Sequence, residues 1–131
     1  MSEHTPPAMG TIGWTDIAVP DAVALRTFYE TVAGWTSEPL DMGGYDDYVM
    51  KSPDGRAVAG VCHARGPNAA LPPVWLNYIT VPDVAAAVER CTELGGTVIA
   101  PPKKTGPGAF AIIRDPASAV VGLYQGEESK E

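Results

Sequence analysis

The sequence repeats itself at one fixed offset. The run Ile17-Ala18-Val19-Pro20-Asp21 returns 62 residues later as Ile79-Thr80-Val81-Pro82-Asp83. The same offset pairs Ala24 with Ala86, Gly34 with Gly96, Pro39 with Pro101, Gly44 with Gly106, Ala57 with Ala119, Val58 with Val120 and Gly60 with Gly122, with no gap. A repeat of this kind constrains a fold more than any short motif, because each copy has to build the same unit of secondary structure.

Each copy reads alike. Residues 12–19 and 74–81 are short runs rich in Ile, Val, Trp, Thr and Tyr, which predicts strands. A proline then ends each run, and Asp21 or Asp83 follows where a carboxylate can cap the free amides of a first helical turn. Leu25, Phe28, Tyr29 and Val32 fall at helical spacing, as do Val84, Val88, Cys91 and Leu94. Gly34 and Gly95-Gly96 supply the left-handed stops. Three extended segments follow each helix, at 35–40, 45–51 and 56–63 and again at 97–100, 109–114 and 119–125, with turns at Pro53-Asp54-Gly55 and Asp115-Pro116. The expected fold is α+β: two tandem β-α-β-β-β modules forming a curled mixed sheet around a cleft, helices outside. The expected boundaries are a loose N-terminus at 1–11, a first module at 12–64, a linker at 65–73, a second module at 74–125 and an acidic tail at 126–131.

Composition narrows the classes of partner. At 131 residues with 45% hydrophobic and 19% charged residues, the chain suits one ordinary core, and no apolar run nears the length of a membrane span. The net charge of −7 repels phosphate backbones and anionic lipid, so neither nucleic acid nor membrane is an expected partner. Residues Met1 to Gly10 lack a cationic start followed by an apolar stretch, so no secretion signal is read and a cytoplasmic protein is expected. Cys62 and Cys91 are two thiols in a chain that needs no disulfide framework, and reduced thiols are expected.

The ordered landmarks are Val19-Pro20-Asp21, Phe28-Tyr29, Gly34-Trp35, the run Val81-Pro82-Asp83-Val84-Ala85-Ala86-Ala87-Val88, Gly95-Gly96 and Asp115-Pro116. Taken with the repeat, they resemble the glyoxalase, bleomycin-resistance and extradiol dioxygenase superfamily, the vicinal-oxygen-chelate fold, over nearly all of residues 12–125. That resemblance implies a divalent metal held by His, Glu or Gln from four strand positions. Those positions are Trp14 and Leu76, seven residues before each capping Asp, and Gly60 and Gly122. None of the four carries a side chain of the kind such metals take. No metal ligand and no cofactor is therefore expected.

Strand alternation places Trp14 with Asp16 on one face, Leu76 with Tyr78, Gly60 with Cys62, and Gly122 with Tyr124. The expected lining is aromatic, apolar and small, with one carboxylate, and it suits a planar or hydrophobic small molecule. Trp14 and Leu76 equally suit a closed core filling the space of the absent metal. Asp16 is the candidate catalytic residue, with structural pairing to Tyr78 or Tyr124 as the bland alternative. Cys62 reads as a small buried hydrophobe and Cys91 as helix core. Tyr45-Asp46-Asp47-Tyr48 reads as a lip over the cleft or an exposed strand edge, and Lys103 to Gly108 as a flexible hairpin connection.

Three functions follow from these residues. One is a binder of a small aromatic or hydrophobic molecule, like the antibiotic-resistance members of the superfamily. A second is a metal-independent lyase or isomerase in which Asp16 moves a proton and Tyr78 or Tyr124 polarises a carbonyl. A third is a metal-dependent glyoxalase- or dioxygenase-like enzyme with unconventional ligands such as Asp16 and His63. Pairing into a homodimer is left open by the sequence.

Overall fold

The computed structural model describes residues 8–66 and 69–126. His4 and the residues after Gly126 in the expected acidic tail lie outside them. The element order is β1 (Ile12–Val19), α1 (Ala22–Ala33), β2 (Thr36–Asp41), β3 (Asp46–Lys51), β4 (Ala57–His63), β5 (Leu76–Thr80), α2 (Val84–Glu93), β6 (Thr97–Thr105), β7 (Gly108–Arg114) and β8 (Val120–Gln125). The β-α-β-β-β order thus occurs twice, as the repeat requires.

The chain divides into two compact units. One runs from Trp14 to Trp75; the other combines the residues up to Gly13 with those from Leu76 onward. In the Trp14–Trp75 unit the strand order is β2-β3-β4-β1, with β1 parallel to β4 and the remaining pairs antiparallel. The other unit repeats this as β6-β7-β8-β5, with β5 parallel to β8. There the backbone of Gly10 and Thr11 is tied to Thr80 by two hydrogen bonds.

Both helices begin as the capping argument requires. Asp21 accepts from the Ala24 amide at 3.0 Å, and Asp83 accepts from Ala85 and Ala86 at 3.1 and 3.2 Å. Gly34 ends α1 in the left-handed conformation at φ 76°, and Gly95 does the same just beyond α2 at φ 97°. Between each helix and its sheet lies a separate core. Ile17, Ala22, Tyr48, Met50, Ala59 and Val61 form one, and Val84, Ala111 and Leu123 the other.

The apolar helix stripes are narrower than their spacing suggests. Phe28 and Val32 on α1 are exposed, and Leu94 is the cap residue of α2, 77% exposed. Leu25 and Tyr29 join Ala22 in carrying that face of α1 into the core, where Tyr29, Trp35 and Trp75 meet edge to face or tilted at 5.3–6.0 Å between ring centres. The Trp75 indole also donates to the Tyr29 hydroxyl at 3.3 Å.

The segment Lys103 to Gly108 is not a flexible connection. β6 runs on through Thr105, and only Gly106-Pro107 turns into β7. Pro101 and Pro102 fit within β6 because it pairs with β7 alone in this unit, so one side of its backbone needs no ladder donor there. Nor is Asp47-Tyr48 an exposed edge: both side chains are buried, at 5% and 9% exposure.

Candidate functional site

Each sheet has one face under its helix and one face turned away from it, and the residues singled out from the sequence fall on the latter. In the Trp14–Trp75 unit, Asp16 pairs with Gly60 in the parallel ladder. A Cβ placed on Gly60 would lie 3.0 Å from the Asp16 Cβ, 3.5 Å from the Trp14 ring and 3.7 Å from the Cys62 sulfur. Alternation along two strands has therefore brought Trp14, Asp16, Gly60 and Cys62 together.

Asp47 joins them; the sequence placed it in a lip over the cleft or a strand edge, not in the lining. The β3–β4 register sets Tyr48 opposite Val61, and the next step brings the Asp47 carboxylate to the end of β4, where it accepts from the His63 backbone amide at 2.8 Å. The Asp47 carboxylate also flanks the Cys62 thiol. Burial pushes the Cys62 thiol far up from its ordinary range, and the negative charges of Asp16 and Asp47 push it the same way. Cys62 is thus held as a neutral thiol, which agrees with its reading as an inert residue. The signal for Asp47 was its position in a strand, but which of two adjacent aspartates turns inward depends on cross-strand register.

His63 sits among the residues at the start of β3. Its Nδ1 lies 3.0 Å from the Asp46 carbonyl oxygen and 3.5 Å from Asp47 Oδ1, with the Tyr45 ring edge-on at 5.6 Å. A carbonyl only accepts, so that hydrogen bond needs the proton on Nδ1. The Arg65 guanidinium lies over the other partner in this group, 4.2 Å from the Tyr45 ring centre.

In the other unit the corresponding face is more apolar. Tyr78 pairs with Gly122, Gly122 with Ile112, and Tyr124 with Phe110. The Tyr78 ring lies over Gly122: an added Cβ there would sit 2.5 Å from Cε2 and 3.0 Å from Cγ, with Cδ2 nearer still. The rings of Tyr78 and Phe110 meet edge to face at 6.5 Å. Leu76 and Ile112 are buried, while Tyr78, Phe110 and Tyr124 are half-buried. Phe110 and Ile112 are additions to the expected lining. Their strand was legible in the sequence, but its alignment with β8 was not.

The metal implied by the resemblance does not fit these residues. An indole N–H only donates and leucine has no donor atom for a metal. Gly60 is packed against Trp14 and Asp16, and the space above Gly122, where a ligating side chain would start, is filled by the Tyr78 ring. Among the described residues no three of His, Cys, Asp or Glu gather to hold an ion.

A family model described as "Glyoxalase-like domain" matches residues 14–123. The chain belongs to this family. Its place in the vicinal-oxygen-chelate superfamily, expected from the landmark residues, follows. Among curated proteins this glyoxalase-like chain is 36% identical over 119 residues to "Putative glyoxylase CFP32" of Mycobacterium tuberculosis, covering 88% of the chain and 46% of that protein. It is 30% identical over 131 residues to "Anthracycline biosynthesis protein DnrV" of Streptomyces peucetius, covering 90% and 48%. The chain therefore spans about half the length of the curated relatives it matches. Solved structures share the fold at lower identity. Methylmalonyl-CoA epimerase from Mycobacterium tuberculosis superposes with a TM-score of 0.55 at 16% identity, over 94% of this chain and 93% of that one. The Mn(II)-bound glyoxalase from Novosphingobium aromaticivorans gives 0.55 at 17%, over 94% and 42%. No helix among the described residues is long and apolar enough to cross a membrane.

Proposed function

We propose that this glyoxalase-like chain binds a small planar aromatic or hydrophobic molecule on the helix-free faces of its sheets, without the family's divalent metal. The observation that carries this reading is the Tyr78 ring seated on Gly122, beside Phe110 and Tyr124, where family enzymes place a metal ligand. Aromatic walls supply stacking and apolar area, and a few polar groups fix orientation. The 30% identity to a protein named for anthracycline biosynthesis favours a polycyclic aromatic ligand, whose fused rings such a face would stack.

The test is a melting-temperature and tryptophan-fluorescence titration with anthraquinone, a minimal fused-ring probe. Ligand at about 100 times its Kd stabilises by roughly 2.7 kcal/mol, an upward shift of several degrees. The shift should be lost in Tyr78→Ala and kept in Trp35→Phe. No shift and no quenching with any fused-ring aromatic sinks the reading.

A second reading is favoured by the position of Asp16 on the same face as Trp14, with Asp47 buried nearby. In it the chain is a metal-independent lyase or isomerase, Asp16 taking a proton next to a substrate carbonyl. It predicts turnover that is unaffected by chelators and abolished in Asp16→Asn. Ligand binding without turnover in the wild type decides for the first reading.

A further inference from the structure

The outermost strand of the aromatic sheet carries two register shifts, and the second of them changes which lysine faces the ligand. In the β6–β7 ladder Ala100 pairs with Ile112, but Lys103 pairs with Phe110, so three residues of β6 span two of β7 at Pro101-Pro102. Without that extra residue Pro102 would oppose Phe110, and Lys103 would oppose Ala109, which packs on the helix side of the sheet. The bulge turns Lys103 onto the face of Phe110 and leaves Lys104, paired with Ala109, on the other.

Phe110 pairs in turn with Tyr124, so Lys103, Phe110 and Tyr124 form one row across three strands, neighbours about 5 Å apart. The Tyr124 phenol leans over Gly108 toward the hairpin end: a Cβ on Gly108 would sit 3.0 Å from its hydroxyl oxygen. Among the described residues neither the Lys103 ammonium nor the Tyr124 hydroxyl has a hydrogen-bond or ion-pair partner. An aromatic platform bounded by a cation and a phenol donor offers local charge and hydrogen bonding to an anion attached to a ring. Arg114 shares the face but lies four residues along β7, about 13 Å away at the strand rise.

Resting on the binding reading above, we propose that the ligand is a planar aromatic carrying a carboxylate, with Lys103 and the Tyr124 hydroxyl holding the anion and the Pro101-Pro102 bulge setting Lys103 in place. The experiment compares anthraquinone-2-carboxylate with its primary amide on the wild-type chain and on Lys103→Met, Lys104→Met, Tyr124→Phe and Arg114→Met. The acid should bind the wild type about fivefold more tightly than the amide, as an exposed charge contact allows, and the gap should narrow at high salt. Lys103→Met should erase the gap while leaving amide affinity unchanged, Tyr124→Phe should reduce it, and Lys104→Met, which removes the same charge from the opposite face, should leave it intact. Equal binding of acid and amide to the wild type overturns the proposal but leaves the aromatic site standing. Loss of the gap in Lys104→Met or Arg114→Met, with Lys103→Met silent, also overturns it. If neither probe binds, the aromatic site and this proposal fall together.

Discussion

Replacing Gly122 by alanine puts a methyl group where the Tyr78 ring now sits. The added Cβ would lie 2.5 Å from Tyr78 Cε2, more than 1 Å inside ordinary van der Waals contact, so the ring has to leave the sheet surface. Overpacking of this kind costs about 1–3 kcal/mol. Gly122 does not use a positive φ, so alanine also narrows the unfolded ensemble and returns about 0.4–1 kcal/mol. The net expectation is a loss of about 1–2 kcal/mol, or a melting temperature lower by roughly 3–10 °C for a chain of this size. Gly60→Ala serves as the internal comparison, because its nearest neighbour is the Asp16 Cβ at 3.0 Å and its other contacts are at 3.5 Å or more. It should fall within about 0.5 kcal/mol of the wild type, since a small shift and the same entropy gain nearly cancel. The decisive assay is a double-mutant cycle by thermal and urea unfolding. In the Tyr78→Ala background, Gly122→Ala should become neutral or stabilising, giving a coupling of at least about 1 kcal/mol between the two sites. A Gly122→Ala chain that melts at or above the wild type, or a cycle with no coupling, would refute the packing on which the aromatic face depends.

Two further outcomes follow from the same structure. Asp21→Ala and Asp83→Ala should each cost about 1 kcal/mol, because each removes the acceptor of first-turn amides, and circular dichroism melts check both. Cys62 has a folded-state pKa raised chiefly by burial, so the folded chain keeps its proton where the unfolded chain loses it. Its contribution is fully present below the unfolded value near 8.5 and is lost as pH rises beyond it, at up to about 1.4 kcal/mol per unit. Urea unfolding at pH 7–10 should therefore show a steeper alkaline decline in the wild type than in Cys62→Ala; parallel declines would contradict the buried, carboxylate-flanked thiol.

What the sequence disclosed was what short-range chemistry controls. The capping aspartates, the glycine stops and the fixed offset located both helices and the module order, because each acts within a few residues of backbone. Alternation within β1 and β4 likewise put Trp14, Asp16, Gly60 and Cys62 on a common face. Features that depend on how strands register against each other stayed hidden. Asp47 and Asp46 are indistinguishable until β3 is set against β4, and Phe110 cannot be assigned to the face of Tyr124 until β7 is set against β8. Lys103 was read as part of a loop because two prolines mask a strand, and its facing reverses with a single extra residue. Exposure of Phe28 and Val32 was equally illegible, since helical spacing gives a stripe but not how much of it the sheet covers.

The central claim is that the aromatic faces hold a planar ligand by stacking, with no metal in the contact. The most direct measurement is a fluorescence titration of the wild-type chain with anthraquinone, run in EDTA and again with added Mn²⁺ or Zn²⁺. Saturable quenching with the same Kd in every condition is the expected result. Binding that disappears in EDTA and returns with the metal, or no binding at all, would contradict it.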